Sequence, residues 1–401
     1  MKPRHLDLLV TLSSPTLSPD GEQAVFAASR PSFDVDDHVG RIWSVATAGR
    51  GRPRPLTRGT SDLAPQLSPD GHTVAFLRGG VDARPQLAIV SAEGGEPRIV
   101  TDAPLGVDEF VWSRDSRKLA FVARMPEEGR YGTLEGVPAE REDPRLIVGN
   151  KYQANGIGYI RDRPRGIYLL EVPSLDEEPW LEPRGRAATG TEEEPRDNTT
   201  LGGRRGIPQA RLLTPLEADC RQPEFTPDGK RVCFTAALHA GEDSDLRSMI
   251  HRVPVTGGEP VLVAGGAEAT WAWSRPRFSR DGRTLFLLAE HLGESGLDFV
   301  GSAKAVAALA VDAEPGTDPR ILTDPVTSDY EAPWSFLEPF GEESVLAPAR
   351  VRGCGELHAI SPEGRVHVLV KGPKVVSAAA ERSGVSVAVV SEATRPMELA
   401  R

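Results

Sequence analysis

The chain is poor in cysteine and has no long apolar run. Its 401 residues include three cysteines, and none of them lies in a Cys-x-x-Cys spacing. Three cysteines cannot form a disulfide framework, and Cys233 alternates with apolar neighbours as a small buried residue does. Apolar runs such as residues 302–311 are far shorter than the about 20 residues that span a membrane. The first ten residues also lack the apolar segment of a secretory signal, so we expect a cytoplasmic protein without membrane contact.

Motifs that carry catalysis are absent as well. The sequence has no Gly-x-Ser-x-Gly nucleophile motif, no His-Glu-x-x-His, no Gly-rich phosphate loop and no Gly-x-Gly-x-x-Gly. The eight histidines are scattered, and His358 is expected to be a packed side chain rather than a metal ligand. We therefore predict no catalytic residue, no metal and no cofactor in this chain.

The charge balance excludes another class of partner. Lys and Arg number 47 against 58 Asp and Glu, which gives a formal net charge of -11. A chain with this balance has no overall field that attracts a phosphate backbone, so we expect no nucleic-acid partner. The apolar share of 39% supports an extended core, and 40 glycines with 35 prolines favour many turns over long helices.

One short phrase recurs along the chain. Five segments of the type Ser/Thr-x-Asp-Gly/Ser each precede a β-branched and aromatic run: Ser18–Gly21, Ser68–Gly71, Ser113–Ser116, Thr226–Gly229 and Ser279–Gly282. Asp and Gly tolerate the positive φ that a tight turn between antiparallel strands requires. Each copy therefore predicts a turn followed by a buried strand.

The spacing of the copies predicts the architecture. A hairpin with glycine at its turn follows, as in residues 87–101 and 251–263, so that each unit contains four strands. Successive units start 50, 45, 113 and 53 residues apart. Four antiparallel strands repeated at this interval are typical of a β-propeller blade. We predict an all-β fold, a seven-bladed β-propeller of TolB- or WD40-like four-stranded blades over residues 1–401, with six blades as the alternative.

Two units depart from the pattern. Residues 174–209 lengthen unit 3 with acidic and glycine-rich stretches, which predicts a disordered insertion loop between two strands. The last unit begins at Val375 and has room for only three strands, so we expect an incomplete final blade. Because an uncovered sheet edge is a liability, we expect the natural polypeptide to continue past Arg401 or another chain to pack there.

Segments that lead into the inner strands are the candidate contacts of a central channel. They carry aromatic side chains beside charges, a combination that suits contact with a peptide or partner. The candidates are Trp271, Trp273, Arg275, Tyr330, Glu331 and Trp334. The alternative is that these tryptophans wedge between blades. The other inner-strand positions are interpreted as mostly apolar or aromatic, which disfavours a metal in the channel.

Three segments carry a resemblance to a known family. Residues 6–21, residues 150–159 and residues 391–400 resemble, in this order, the propeller half of the prolyl oligopeptidase (S9) family of serine peptidases. The resemblance is to acylaminoacyl-peptidase and dipeptidyl-peptidase-like bacterial members in particular. It covers nearly the whole chain, although TolB-like and other propellers share the Ser-Pro-Asp-Gly phrase.

The resemblance implies a function that this chain cannot perform alone. In that family a seven-bladed propeller caps an α/β-hydrolase domain, which carries Ser, Asp and His and receives short peptides. This chain departs from the family because it lacks the hydrolase domain, so no family catalytic residue can be placed on it. The resemblance implies a substrate-gating propeller of a serine peptidase for short or N-acylated peptides, with the hydrolase domain on the same or a separate polypeptide. The alternative is a stand-alone TolB-like scaffold that binds a protein partner.

Overall fold

The fold was obtained as a computed structural model of the chain. It describes residues 2–49, 51–80, 83–134, 136–184, 186, 199–314, 316–331 and 336–401. Strands and turns dominate this part of the chain, and the helical segments given bounds are three short 3₁₀ turns. These are Pro3–Leu8, Ala139–Arg141 and Glu242–Ser244. The predicted all-β propeller fold is confirmed.

The first three units each contain a four-stranded antiparallel sheet. Unit 1 comprises β1 Thr11–Leu17, β2 Gln23–Ser32, β3 Asp37–Ala46 and β4 Arg54–Pro55. Unit 2 comprises β5 Ser61–Leu67, β6 Thr73–Gly80, β7 Ala83–Ser91 and β8 Arg98–Ile99. Unit 3 comprises β9 Val107–Trp112, β10 Lys118–Arg124, β13 Arg165–Glu171 and β15 Ala210–Leu212. Between them lie a small hairpin, β11 Gln153–Ala154 with β12 Gly158–Tyr159, and the short strand β14 Thr200–Leu201.

The remaining strands continue this order. Unit 4 comprises β16 Arg221–Phe225, β17 Arg231–Ala236, β18 Met249–Pro254 and β19 Val261–Ala264. Unit 5 comprises β20 Trp271–Phe278, β21 Thr284–His291, β22 Lys304–Ala310 and β23 Arg320–Ile321. Unit 6 comprises β24 Glu338–Phe340, β25 Ser344–Val351, β26 Cys354–Ile360 and β27 Val366–Val370. The last described strands, β28 Lys374–Arg382, β29 Val385–Glu392 and β30 Arg395–Ala400, form unit 7.

The predicted loop over residues 174–209 falls largely outside the described part of the chain. Residues 185 and 187–198 are not described. Within the described part, β14 pairs with β15 through Thr200 and Leu201. This pairing adds a fifth strand to the sheet of unit 3.

Apolar clusters between neighbouring units hold the ring together. Within the described residues, seven such clusters occur, and each joins the facing sheets of two successive units. The seventh closes the ring, because Leu17 and Ala24 of unit 1 pack against Val387 of unit 7. Ser383 supports the closure by donating to the carbonyl of Pro19 at 2.6 Å. The sheets are therefore arranged radially, and each one buries both of its faces.

The recurring phrase forms one hydrogen-bonded turn. In unit 4, Thr226 Oγ1 donates to Asp228 Oδ1 at 2.6 Å. Asp228 Oδ1 accepts the backbone N–H of Lys230, and Thr226 Oγ1 accepts that of Arg231, both at 3.0 Å. The same three bonds recur in the turns that begin at Ser18, Ser68, Ser113 and Ser279. A hydroxyl and a carboxylate therefore satisfy backbone donors that the turn leaves unpaired.

A second repeated feature lies on the inner strands. In four of them the residue before a proline adopts a left-handed φ between 48° and 58°: Ser14, Ala64, Gln222 and Arg275. A bulge interrupts the strand register at the same point. The side chain after the proline then reaches the next unit. Gln66 Nε2 donates to the carbonyl of Phe110 at 2.8 Å, and Thr16 Oγ1 accepts the N–H of Leu67 at 3.3 Å.

No helix in the described residues is long and apolar enough to cross a membrane.

Removing the turn carboxylate should destabilise the fold. Asp228→Ala leaves the N–H of Lys230 without its acceptor and leaves the hydroxyl of Thr226 with only the carbonyl of Arg231, so we expect the free energy of unfolding to fall by about 1 kcal/mol. Urea unfolding followed by tryptophan fluorescence measures it. Asp34→Ala, in an exposed turn, is the matched control and should change the stability by less than about 0.5 kcal/mol. Equal losses in the two variants would show that the turn bonds do not stabilise the fold.

The same turn should make the stability depend on pH. The hydrogen bond from Thr226, together with the N–H of Lys230, lowers the pKa of Asp228 in the folded state. Its contribution is therefore complete above the unfolded value of about 3.9 and is lost as the pH falls through the folded value. Asp228→Asn keeps the acceptor without the charge, so it should be less stable than the parent near neutral pH. The two urea midpoints should converge once the pH falls below the folded pKa of Asp228, and a pH-independent difference contradicts this account.

Candidate functional site

The inner strands surround a central cavity of ≈ 930 Å³. Strands of all seven units contribute to its wall. The wall carries Glu109, Glu224, Glu338, Glu381, Arg114, Arg275, Arg277, Arg280 and Arg382. The interpretation of the inner strands as mostly apolar or aromatic was therefore wrong. The bulges before the prolines are the physical reason, because they shift the alternation of side chains along each strand.

A half-buried ion-pair triad crosses three units in the channel wall. Arg277 of unit 5 donates through Nη1 to Glu224 of unit 4 at 2.9 Å. Through Nη2 it donates to Glu338 of unit 6 at 2.7 Å. Although burial opposes its charge, the two carboxylates raise the pKa of Arg277. Glu224 and Arg277 occupy the same position on their inner strands, directly after a proline, as Gln66 does in unit 2. The ion pairs therefore join units 4 to 6 as the neutral hydrogen bond of Gln66 joins units 2 and 3.

Two further arginines span the face of the ring where the recurring turns lie, which we call the turn face. Arg114 of unit 3 donates to the carbonyls of Ser279 and Arg280 in unit 5, at 3.0 and 3.2 Å. Arg280 donates in turn to the carboxylate and the carbonyl of Glu381 in unit 7, both at 2.9 Å. Each guanidinium thus reaches a unit that is not its neighbour along the ring. Together they lie over the channel and narrow it at the turn face.

The opposite face, where the inner strands begin, is called the start face. Here a chain of hydrogen bonds links three inner strands. Glu109 of unit 3 accepts the backbone N–H of Gln222 at 2.6 Å. The side-chain oxygen of Gln222 accepts the N–H of Arg275 at 2.9 Å and the hydroxyl of Thr235 at 2.9 Å. The bulges of units 4 and 5 are therefore fixed relative to each other.

The structure separates the first three predicted contact residues. Arg275 lines the central cavity. Trp273 is 2% exposed and belongs to the apolar cluster between units 4 and 5. Trp271 is half-buried, stacks on Trp273 with ring centres 6.3 Å apart, and meets the edge of His291 at 4.9 Å. The two tryptophans lie where the alternative, a wedge between blades, places them.

The second group lies between units 5 and 6. Tyr330 is buried in the cluster between these units, and its hydroxyl lies 2.9 Å from Nδ1 of His358. His358 in turn contacts the carboxylate of Glu356 at 2.9 Å, which fits the expected packed histidine. Glu331 accepts a hydrogen bond from Lys304 Nζ at 2.7 Å. Trp334 lies outside the described residues.

A smaller pocket of ≈ 350 Å³ lies in the insertion of unit 3, between β10 and β13. Leu146, Ile147 and Val148 line it, and Leu146 and Val148 are 90% and 89% exposed. This insertion leaves the sheet at the start face, because Arg124 pairs with Arg165 and Ala123 pairs with Val107 at the beginning of β9. Among the described residues, no three His, Cys, Asp or Glu side chains are close enough to bind one metal ion.

Sequence reasoning missed the charged side chains of the channel, but two signals mark them. The first is a proline that lies two residues before the aromatic residue or leucine at the end of an inner strand. Pro223 and Pro276 are examples, and the residues that follow them, Glu224 and Arg277, are charged residues of the channel. The second is arginine in place of proline within the recurring phrase. Arg114 and Arg280 are the two arginines at this position.

Comparison with known proteins gives a curated relative that aligns with more than half of this chain. No protein-family model matches the chain. The uncharacterized peptidase YuxL of Bacillus subtilis is 27% identical over 237 residues, which are 59% of this chain and 31% of that protein. The chain therefore spans about a third of the length of this curated relative.

Solved structures give the fold. The acylaminoacyl peptidase of Pyrococcus horikoshii matches with a TM-score of 0.65 at 14% identity, over 98% of this chain and 51% of that one. The β-propeller domain of the Trilobed protease from Pyrococcus furiosus matches with a TM-score of 0.59 at 12% identity, over 98% and 92%. Together with the sequence relative, these matches confirm the predicted resemblance: the chain is a β-propeller of the kind found in peptidases of the prolyl oligopeptidase (S9) family.

Proposed function

We propose that this propeller gates the access of substrates to the hydrolase domain of a serine peptidase that acts on short or N-acylated peptides. The observation that carries the proposal is the central cavity with its turn face spanned by Arg114 and Arg280. A cavity of ≈ 930 Å³ lies near the upper end of small-molecule sites, which run from about 300 to 1,000 Å³. Such a space admits a short peptide and excludes a folded domain.

The catalytic groups are assigned to a separate domain. No nucleophile motif occurs in the chain, and the proposal places the Ser, Asp and His of catalysis on an α/β-hydrolase domain of the same or another polypeptide. The exposed Leu146 and Val148 at the start face support a docking surface for that domain. The name of the Pyrococcus horikoshii neighbour, an acylaminoacyl peptidase, supports N-acylated peptides as substrates.

The chain alone should be inactive. We expect no turnover of N-acyl-aminoacyl or aminoacyl chromogenic substrates by purified residues 1–401, whereas the whole natural polypeptide should hydrolyse them. The release of chromophore measures both, and a serine-directed covalent inhibitor should label only the whole polypeptide. Turnover by the purified chain contradicts the assignment of catalysis to another domain. If the whole polypeptide is inactive both alone and with a separate hydrolase polypeptide, the stand-alone scaffold that binds a protein partner is favoured.

Opening the turn face should relax the selection for short peptides. Arg114→Ala combined with Arg280→Ala removes both spanning side chains, while Glu381 keeps the N–H donors of Gly341 and Gly384. In the whole natural polypeptide we expect kcat/KM for peptides too long for the parent to rise about tenfold, a change of about 1.4 kcal/mol in barrier. The value for the shortest peptides should stay unchanged.

Arg283→Ala is the matched control for this experiment. Arg283 lies in the same turn as Arg280, but its side chain is 84% exposed and points away from these contacts. It should leave the dependence on peptide length unaltered. If the double variant shows the parental length dependence while it remains folded by circular dichroism, the turn face is not the gate.

A further inference from the structure

The start face carries more positive than negative charge around the channel mouth. Seven charged side chains of units 3 to 5 interact here, namely Arg124, Arg165, Arg221, Arg275, Asp108, Glu109 and Asp219. We call this set the start-face cluster. It holds four arginines and three carboxylates, and Arg163 adds a further positive charge beside Arg124.

Two of the carboxylates are already engaged. Arg165 donates to Asp108 at 2.7 Å and to Asp219 at 3.0 Å. Arg124 lies 3.7 Å from each of the same two carboxylates, and its Nη2 is a buried donor without a hydrogen-bond partner in the described part of the chain. Asp108 and Asp219 are therefore shared by Arg165 and Arg124, and neither lies within 4.0 Å of Arg221 or Arg275 among the described residues.

The third carboxylate, Glu109, does not form a salt bridge to the remaining arginines. Its Oε1 accepts the backbone N–H of Gln222. Burial raises the pKa of Glu109, which weakens it as a counter-ion. Among the described residues, no carboxylate lies within 4.0 Å of Arg221 or Arg275. Burial lowers the pKa of Arg275, and the attraction of Glu109, partly countered by repulsion from Arg221, does not restore it.

The backbone holds these two arginines in place. Arg221 immediately precedes the bulge residue Gln222, and Arg275 is itself the bulge residue of the next inner strand. The prolines that follow, Pro223 and Pro276, restrict the chain on the far side. Because the side chain of Gln222 accepts the N–H of Arg275, the two attachment points are fixed before a ligand arrives. Because the backbone at both arginines is already ordered, ligand binding has to order only the two side chains, which lowers the loss of entropy.

We propose that Arg275, which lines the cavity, and Arg221, which is exposed at the start of the neighbouring inner strand, bind a carboxylate group of a short peptide. A guanidinium presents paired N–H donors that match a carboxylate, and a carboxylate offsets part of the excess positive charge around the start-face cluster. This inference rests on the proposed function in one respect, namely that peptides enter the channel. It adds the chemical group that the channel selects.

Binding to residues 1–401 tests the proposal without any catalysis. The probes are N-acetyl-trialanine as the free acid and as its C-terminal amide, measured by isothermal titration calorimetry at low salt. We expect the free acid to bind about tenfold more tightly than the amide. Arg221→Gln and Arg275→Gln should each lower the affinity for the free acid about tenfold and leave the affinity for the amide unchanged.

Arg352→Gln is the matched control. Arg352 is exposed and, like Arg275, has a left-handed φ, 49° against 52°, so the substitution makes the same change in charge and side chain on the same backbone conformation. It should alter neither affinity. Arg275→Lys keeps the charge without the paired donors, so it should restore only part of the preference for the acid.

A third probe identifies the source of the carboxylate. The amide of N-acetyl-Ala-Asp-Ala carries its only carboxylate on a side chain. If it binds as tightly as trialanine acid, and only while Arg275 is present, the site accepts acidic side chains. If it binds as weakly as the trialanine amide, the site selects the C-terminus of the peptide.

The possible failures are distinguishable. Equal binding of acid and amide by the parent and by Arg275→Gln overturns the carboxylate site but leaves peptide entry intact. No binding of any probe, together with length-selective hydrolysis by the whole polypeptide, also overturns the site while the gating function stands. Loss of length selection with a preserved preference for the acid refutes the gate and leaves the carboxylate site.

Discussion

Contacts between inner strands of successive units are the constraint on which this fold depends. The apolar clusters press the sheets together, but they do not set the register of one inner strand against the next. That register comes from side chains. Thr16 accepts from unit 2, Gln66 donates to unit 3, and Arg277 joins units 4 and 6. All three follow a proline, and the bulge before the proline aims the side chain at the neighbouring unit.

The same position therefore serves structure and function together. Where it holds a hydroxyl or an amide, as in units 1 and 2, it only joins strands. Where it holds Glu224 or Arg277 it also makes the channel wall polar, and the pairing offsets the cost of burying charge. Two residues before Arg277, at the bulge itself, Arg275 lines the cavity. No carboxylate lies within 4.0 Å of it in the described residues. Arg277 and Glu224 are thus paired, whereas Arg275 is not, and an arginine without a close carboxylate in a channel is a candidate for ligand binding.

The fold could be predicted from the sequence because its signals are local. The Ser-x-Asp-Gly turn and the strand after it repeat, and each copy is satisfied by its own hydroxyl and carboxylate. The channel could not be predicted in the same way. A strand without a bulge alternates its faces strictly, but a left-handed residue before proline, such as Gln222, shifts that alternation and turns the following charge inward. Aromatic residues beside charges, such as Trp273, pack between units instead.

Arginine in place of proline within the recurring turn follows from an energetic balance. Proline at this position restricts the unfolded chain and contributes about 0.4–1 kcal/mol. Arg114 gives up that contribution and makes two hydrogen bonds to carbonyls of unit 5, one exposed and one partly buried. Ordering the long side chain opposes the gain from these bonds, so the exchange has its main effect on the contact between the two units. Unit 5 is not a neighbour of unit 3 along the ring, so Arg114 can form these bonds only by crossing the channel. The contact that narrows the channel at the turn face is therefore also a contact that stabilises the fold.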